Sequence, residues 1–488
     1  MYKNMDAEKK THKLPDDCFV TIRSLLIDLF HQLEAIPSFR DVSILVEKST
    51  GKSYRVSKSG TVIKDNPFAA TGAVIRLNSP IGTYEYSFND FSEDFISTIP
   101  EIILQNLSLN PDTNPTCAGS SGQTDLSSGD RLCFNQSSEY LMNPEDMSDD
   151  EITHILSEIY QSAIEYNANI IDCICIFQYL IIHKMFLSHD KDLQQHIMWS
   201  TGVAQPLAHR EEKNHYYRNT FSTLGGAEIL SDMKSDIGKA CDTAIELLDS
   251  VTPPAGEYEV ICMPDVTGLI AHEAFGHGVE MDMFVKDRAL AKNYIGQQIA
   301  SPLVTMHDNA KTCEEAATYF FDDEGTLSHD TVIIKNGILL SGINDLQSAI
   351  SLGVSPTGNG RRESYERKAY TRMTNTYFEA GKSSLEEMIA SIEYGILLDN
   401  GASGMEDPKN WGIQCMVNIG REIKDGKLTG KIFSPICLSG YVPDLLKSIS
   451  MVSTELKLSG CGYCGKGYKE WVKVSDGGPA IKAKVMIS

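Results

Sequence analysis

A chain of 488 residues is long enough for two or more domains, each with a core of its own. Its 43 Lys and Arg against 66 Asp and Glu leave a formal charge of −23, which argues against a nucleic-acid or anionic-membrane partner. Residues 1–17 lack the apolar core of a signal peptide, the longest apolar run (170–182) is too short for a bilayer, and the twelve cysteines show no disulfide framework, so we expect reduced thiols in a cytoplasmic protein.

Apolar residues recur at helical spacing over 18–33, including Phe19, Ile22, Leu26, Leu29 and Leu33, and predict a first amphipathic helix. Strand-like runs at 42–46, 53–56, 72–77 and 84–88 follow, separated by Gly, Asn, Asp and Ser turns, before a helix over 91–107. Residues 108–147 are rich in Ser, Asn, Asp, Gly and Pro without a sustained period, which predicts a flexible surface insertion. Ser148-x-x-Glu151 is a capping box, and Ile152, Leu156, Ile159 and Ala163 trace a buried helical face behind it. Residues 170–186 read as one or two buried strands. Gly225-Gly226 precedes a helix over 227–248, and the domain boundary is placed there, giving units 1–224 and 225–488.

The second unit opens with a strand over 257–263 and the turn Pro264-Asp265, which leads into Gly268-Leu-Ile-Ala-His272-Glu273-Ala-Phe-Gly276-His277-Gly278-Val-Glu280. Two histidines supply imidazole ligands, and the carboxylate beside the first suits a general base. In the common form, H-E-x-x-H, the histidines are four apart and face one way. Here they are five apart and would diverge by ~140° on an ideal helix. Both reach one ion only if the helix widens by a residue, as a π-bulge does, and Gly276 offers the backbone freedom for it. Without that bulge they are two unrelated histidines on an amphipathic helix.

Beyond this helix the chain reads as mostly β. Lys335-Asn336-Gly337 joins strands at 331–334 and 338–340 as a hairpin turn. Ser383-x-x-Glu386 is a second capping box, and a further helix is expected over 444–452. A catalytic zinc needs a third protein ligand. Cys464 suits it, because glycines flank it and let a thiolate approach closely. With Cys461 it also forms C-x-x-C, which in other settings is a redox dithiol or half of a structural zinc site. The surrounding glycines do not suit a redox motif, and no second C-x-x-C completes a four-cysteine site.

From about Pro253 to Gly467 the sequence resembles the TldD/PmbA family, in particular its TldD-like, metal-bearing branch. The resemblance rests on Pro254-Ala-Gly256, the block Gly268 to Glu280, Asp323-Glu-Gly-Thr326 and Gly358-Asn-Gly-Arg361-Arg362-Glu-Ser364-Tyr365. It continues through Arg372-Met-Thr-Asn375-Thr-Tyr377 and Cys464-Gly-Lys466. It implies a zinc metallopeptidase in which His272, His277 and Cys464 bind one zinc per active chain and Glu273 is the catalytic carboxylate. Cys461 has no counterpart, and Glu366-Arg-Lys-Ala-Tyr-Thr371 departs from the proline-containing stretch of the family.

The implied fold is α+β: an N-terminal α/β domain with helices packed on a mixed or antiparallel sheet, then a β-rich C-terminal domain, barrel or sandwich-like, carrying the metal helix. The implied substrate is a peptide or an unfolded protein segment. The implied assembly is a homodimer, or a heterodimer with a related metal-free PmbA-like subunit. Arg361, Arg362, Tyr365, Arg372, Asn375 and Tyr377 are the polar residues considered for binding substrate or an oxyanion. Two readings compete: a non-catalytic zinc-stabilised subunit of a protease-like complex, and a thiol oxidoreductase using Cys461 and Cys464.

Overall fold

The computed structural model describes residues 11–15, 18–108, 131–468 and 470–488. Its first half is built on a ten-stranded, largely antiparallel sheet centred on two long neighbours, Ile170–Ser188 and Lys191–Arg210. Arg40–Thr50 pairs with the outer edge of Ile170–Ser188, and Thr71–Ser79 and Gly82–Phe88 extend the sheet from there. Alternation along the strands divides the sheet's two faces. Cys173, Cys175, Phe177, Met185 and Leu187 point to the face that carries four helices, Val20–Glu34, Glu93–Asn106, Asp149–Tyr166 and Ile229–Glu246. Leu180 and Phe186, with Leu193, Ile197 and Trp199 of the next strand, point the other way and meet residues 310–321 of the second half.

The sequence reading is refined at three places in this half. Residues 109–130 of the expected insertion lie outside the described residues, but Leu132–Ser137 is a strand parallel to Lys191–Arg210, and Glu139–Tyr140 pairs with His12–Lys13. Residues 170–186 form one unbroken strand, extended to Ser188. Ile229–Glu246, placed by sequence in the second unit, buries Met233, Ile237 and Cys241 in the same core as Ile152 and Leu156, and Gly256–Cys262 is the next strand. The Ser148–Glu151 capping box is present as expected, with Glu151 accepting from the Ser148 amide at 2.7 Å.

In the second half Gly256–Cys262, Tyr394–Asp407, Gly412–Lys424, Ile436–Tyr441 and Ile481–Ile487 pair in that order. Ile481–Ile487 then pairs with Gly256–Cys262, which closes a small barrel. A six-stranded sheet containing Met306–Asn309, Asn375–Phe378 and Ser475–Gly478 packs beside it. The hairpin at Asn336-Gly337 forms with both residues at positive φ. The second capping box is Ser384–Glu387, one residue later than read, since Ser and Glu occur in adjacent pairs at both ends. The last helix is Val442–Ser448, begun by a proline in its first turn.

Buried ion pairs hold the two halves together. Lys184 of the first sheet meets Glu47 at 3.3 Å and Asp323, and Arg76 meets Glu324. The Asp323-Glu-Gly-Thr326 block is thus a docking element.

Candidate metal centre

The helix that leaves Gly256–Cys262 starts as Pro264–Ile270, widens to a π-turn over Ala271–Gly276 and tightens to a 3-10 turn over His277–Val279. The extra residue in the wide turn brings His272 and His277 onto one side, with ring centroids 5.2 Å apart. Gly276 serves a different need from the one expected. Its φ is −63°, ordinary helix, but a Cβ there would lie 2.1 Å from Met373 Sδ, so glycine is required for close packing.

Cys464 arrives from the far side on the hairpin of Tyr463–Lys466 and Glu470–Lys473. One ligand atom from each of His272, His277 and Cys464 lies within 4.8 Å of the others, and Cys464 Sγ is 3.5 Å from His277 Nε2. His272 is 5% exposed and Cys464 4%, and the buried Nδ1 of His272 has no hydrogen-bond partner, so protein groups alone do not satisfy the cluster. Two imidazoles and a thiolate form a donor set that suits zinc. Burial opposes charge on Cys464, but His277 and His272 outweigh it and hold the thiol well below its ordinary pKa. Burial likewise opposes protonation of His277, and Cys464 and Glu280 reverse that effect.

A second layer of charge orients the ligands. Glu280 Oε2 lies 3.2 Å from His277 Nδ1 and 3.0 Å from Lys466 Nζ. Burial would raise the Glu280 pKa, but Lys466 and His277 pull it down to about 2. Lys466 also donates to Asp282 at 2.8 Å and to the Thr371 carbonyl at 2.9 Å. Arg372, fully buried, donates to the carbonyls of Cys464 and Glu470 and so clamps both strands of the hairpin.

Glu273 is half-buried and lines a cleft of about 1690 Å³ between the halves, whose wall also includes His272, His277 and Cys464. Its Cγ packs against Gly404 of Tyr394–Asp407, where an added Cβ would come within 2.4 Å. Glu406, on the same strand, lines the cleft with neither carboxylate oxygen hydrogen-bonded.

None of the six polar residues considered for an oxyanion lines this cleft. Arg361 donates to the Met373 carbonyl at 2.6 Å, and Arg362 pairs with Glu85 at 3.0 Å. The Tyr365 ring covers Gly72, Asn375 donates to the Asn309 carbonyl, and Tyr377 stacks on His307 at 5.3 Å. Cys461 is also apart from the cluster, its thiol donating to the Phe221 carbonyl at 3.0 Å. Glu280 and Lys466 were not singled out from sequence, although each carries a positional signal. Glu280 is three residues after His277, one helical turn on, and Lys466 is two after Cys464, on the same strand face.

Residues 255–487 match the profile of the PmbA/TldA metallopeptidase C-terminal domain. A metalloprotease of Methanothermobacter thermautotrophicus is 32% identical over 262 residues, 53% of this chain and 57% of that protein. A metalloprotease TldD homolog of Haemophilus influenzae is 37% identical over 245 residues, half of each chain. The chain thus spans about half the length of the curated relatives it matches. The fold is that of a proposed modulator of DNA gyrase from Thermotoga maritima (TM-score 0.75, 18% identity, covering 96% of this chain and all of that one). It is equally that of TldE from Thermococcus kodakarensis (TM-score 0.71, 18% identity, 95% of this chain and all of that one). With the histidines, the late cysteine and this likeness joined in one body, residues 255–487 belong to the TldD/PmbA family and resemble its TldD-like metalloproteases.

Proposed function

We propose that the chain is a zinc-dependent metallopeptidase that hydrolyses peptides or unfolded polypeptide segments. The observation that carries this reading is a carboxylate, Glu273, that lines an open cleft immediately beside a buried His–His–Cys cluster. His272, His277 and Cys464 would hold the metal, with Glu280 orienting His277 through Nδ1. A bound zinc supplies Lewis acidity and brings the pKa of water towards neutrality. Glu273 accepts the proton of the attacking water and returns it to the departing amine. Substrate enters along the cleft wall at Gly401 to Glu406, which faces Glu273. The test is Glu273→Gln: zinc retained and turnover lost supports the reading.

A second reading, a non-catalytic zinc-stabilised subunit of a protease-like complex, is favoured by a different observation. Lys466 and Arg372 tie the Cys464 hairpin to the rest of the site as firmly as a structural zinc joint requires. Under that reading Glu273→Gln changes nothing measurable in an assembled complex. In either case the partner is a second copy or a related subunit, and the compartment is the cytoplasm.

A further inference from the structure

The wall of the cleft opposite the metal cluster belongs to the first half of the chain. Arg55, Ile176, Val203 and Thr220 stand directly across from one another on four neighbouring strands. The row spans three interstrand steps, ~14 Å. Ile174, two residues before Ile176, faces the same way, and Arg218 adjoins the far end of the row. The opposite face of these strands is sealed by helices, so this face is the one turned to the cleft. It presents an aliphatic strip, half-buried at Ile174 and Ile176 and buried at Val203, bracketed by two guanidinium groups.

Neither guanidinium has an anionic partner among the described residues. That is unusual in a chain with 66 acidic residues for 43 basic ones, where an exposed cation readily finds a carboxylate. The acidic groups of the cleft, Asp265, Glu273, Glu280, Glu406 and Asp476, all lie instead on the metal side, together with Arg288 and with Lys286 and Lys466, which pair with Asp282 and Glu280. The facing wall therefore carries Arg55 and Arg218 with no carboxylate beside them, whereas the metal side mixes carboxylates and cations. A peptide carboxylate is attracted to the wall whose only charges are cationic.

We infer that Arg55 and Arg218 form a carboxylate-recognition wall, which selects peptides carrying an acidic group beside aliphatic residues. Planar guanidinium groups match carboxylates in two-point geometry, and Ile174, Ile176 and Val203 shelter neighbouring aliphatic side chains. The inference rests on the peptidase reading for the identity of the substrate, but binding alone can test it. The acidic group is either the free C-terminus of the peptide or an Asp or Glu side chain.

The experiment uses the full chain as Glu273→Gln, which leaves bound peptide intact, and measures fluorescence anisotropy of labelled hexapeptides with one aliphatic core. One pair differs only in a C-terminal acid or amide, another only in an internal Glu or Gln. The expected result is about tenfold tighter binding of the acidic member of at least one pair, weakened by added salt. Whichever pair shows the effect identifies the source of the carboxylate. Arg55→Gln with Arg218→Gln should abolish the difference while binding the neutral peptides as before. In the otherwise unaltered enzyme the same double change should raise KM and leave kcat unchanged. Equal binding of both members in both pairs, or a preference untouched by the double change, overturns the inference. Acid-selective binding without any cleavage by the enzyme leaves the inference standing and removes the peptidase reading instead.

Discussion

Cys464 and Lys466 act on opposite nitrogens of the same imidazole. The thiol lies 3.5 Å from His277 Nε2, and the ammonium holds, at 3.0 Å, the Glu280 carboxylate that faces His277 Nδ1. Being two apart on one strand, both residues face the same way. Lys466→Met should therefore leave all three ligands in place but free Glu280 and let His277 turn. Metal affinity should fall about 10–100-fold, the usual cost of losing an outer partner. Competition with a chromogenic chelator checks this, and Lys466→Arg should recover part of the loss.

Glu273→Gln keeps the packing against Gly404 but cannot accept a proton. Zinc content by metal analysis should match the parent protein. Turnover should fall by about 10²–10⁴-fold, the ordinary worth of general-base catalysis. Loss of zinc would instead make Glu273 a residue that supports the ligands.

The two late cysteines should separate cleanly. Cys464→Ser should lose tightly bound zinc, whereas Cys461→Ser should retain it, because Cys461 spends its thiol on the Phe221 carbonyl. Retention should also depend on pH: protons compete for both imidazoles, so apparent affinity falls as pH falls. Calorimetric titration with zinc at two pH values reads both effects.

Lys473 gives a stability prediction with a defined pH window. Its Nζ is buried without a hydrogen bond, 4.6 Å from the Trp199 ring and 4.3 Å from Tyr463. Burial lowers its pKa from 10.5 to about 8. In the unfolded chain the group holds its proton up to its ordinary value, so between about pH 8 and 10.5 the unfolded state binds more protons and stability rises with pH. Below that window the fold carries the full cost of a buried cation, which the two rings only partly offset. Lys473→Met should stabilise the protein by on the order of 1–2 kcal/mol at neutral pH and flatten the rise above pH 8. Urea melts at pH 7 and pH 10 test both.

The metal helix was legible in sequence because geometry left a single way to reconcile histidines five apart, and the π-turn at Ala271–Gly276 is that way. The first helices were legible because one polar face and one apolar face alternate at a helical period. Lys191–Arg210 was not, although it is the longest strand in the fold. It is covered by helices on one side and by the second half on the other. Its sequence therefore alternates weakly and carries Gln195, His196 and Pro206, which read as loop. The packing of Ile229–Glu246 was hidden for a related reason: Gly225-Gly226 marks a turn, and only packing shows which core that helix joins. Arg361, Arg362 and Asn375 drew attention as clustered polar groups, but polarity in sequence does not separate a group facing substrate from one satisfying a buried carbonyl.

The spacing of the ligands has a consequence for biosynthesis. His277 and Cys464 are 187 residues apart, and the barrel around them closes only when Ile487 pairs with Gly256. At ~5–20 residues per second, translation reaches the cysteine roughly ten seconds or more after the histidines. During that interval the histidine helix has emerged without its thiolate, its hairpin or the strand that seals the barrel. A nascent chain therefore has no assembled His–His–Cys cluster until the closing strand has been made.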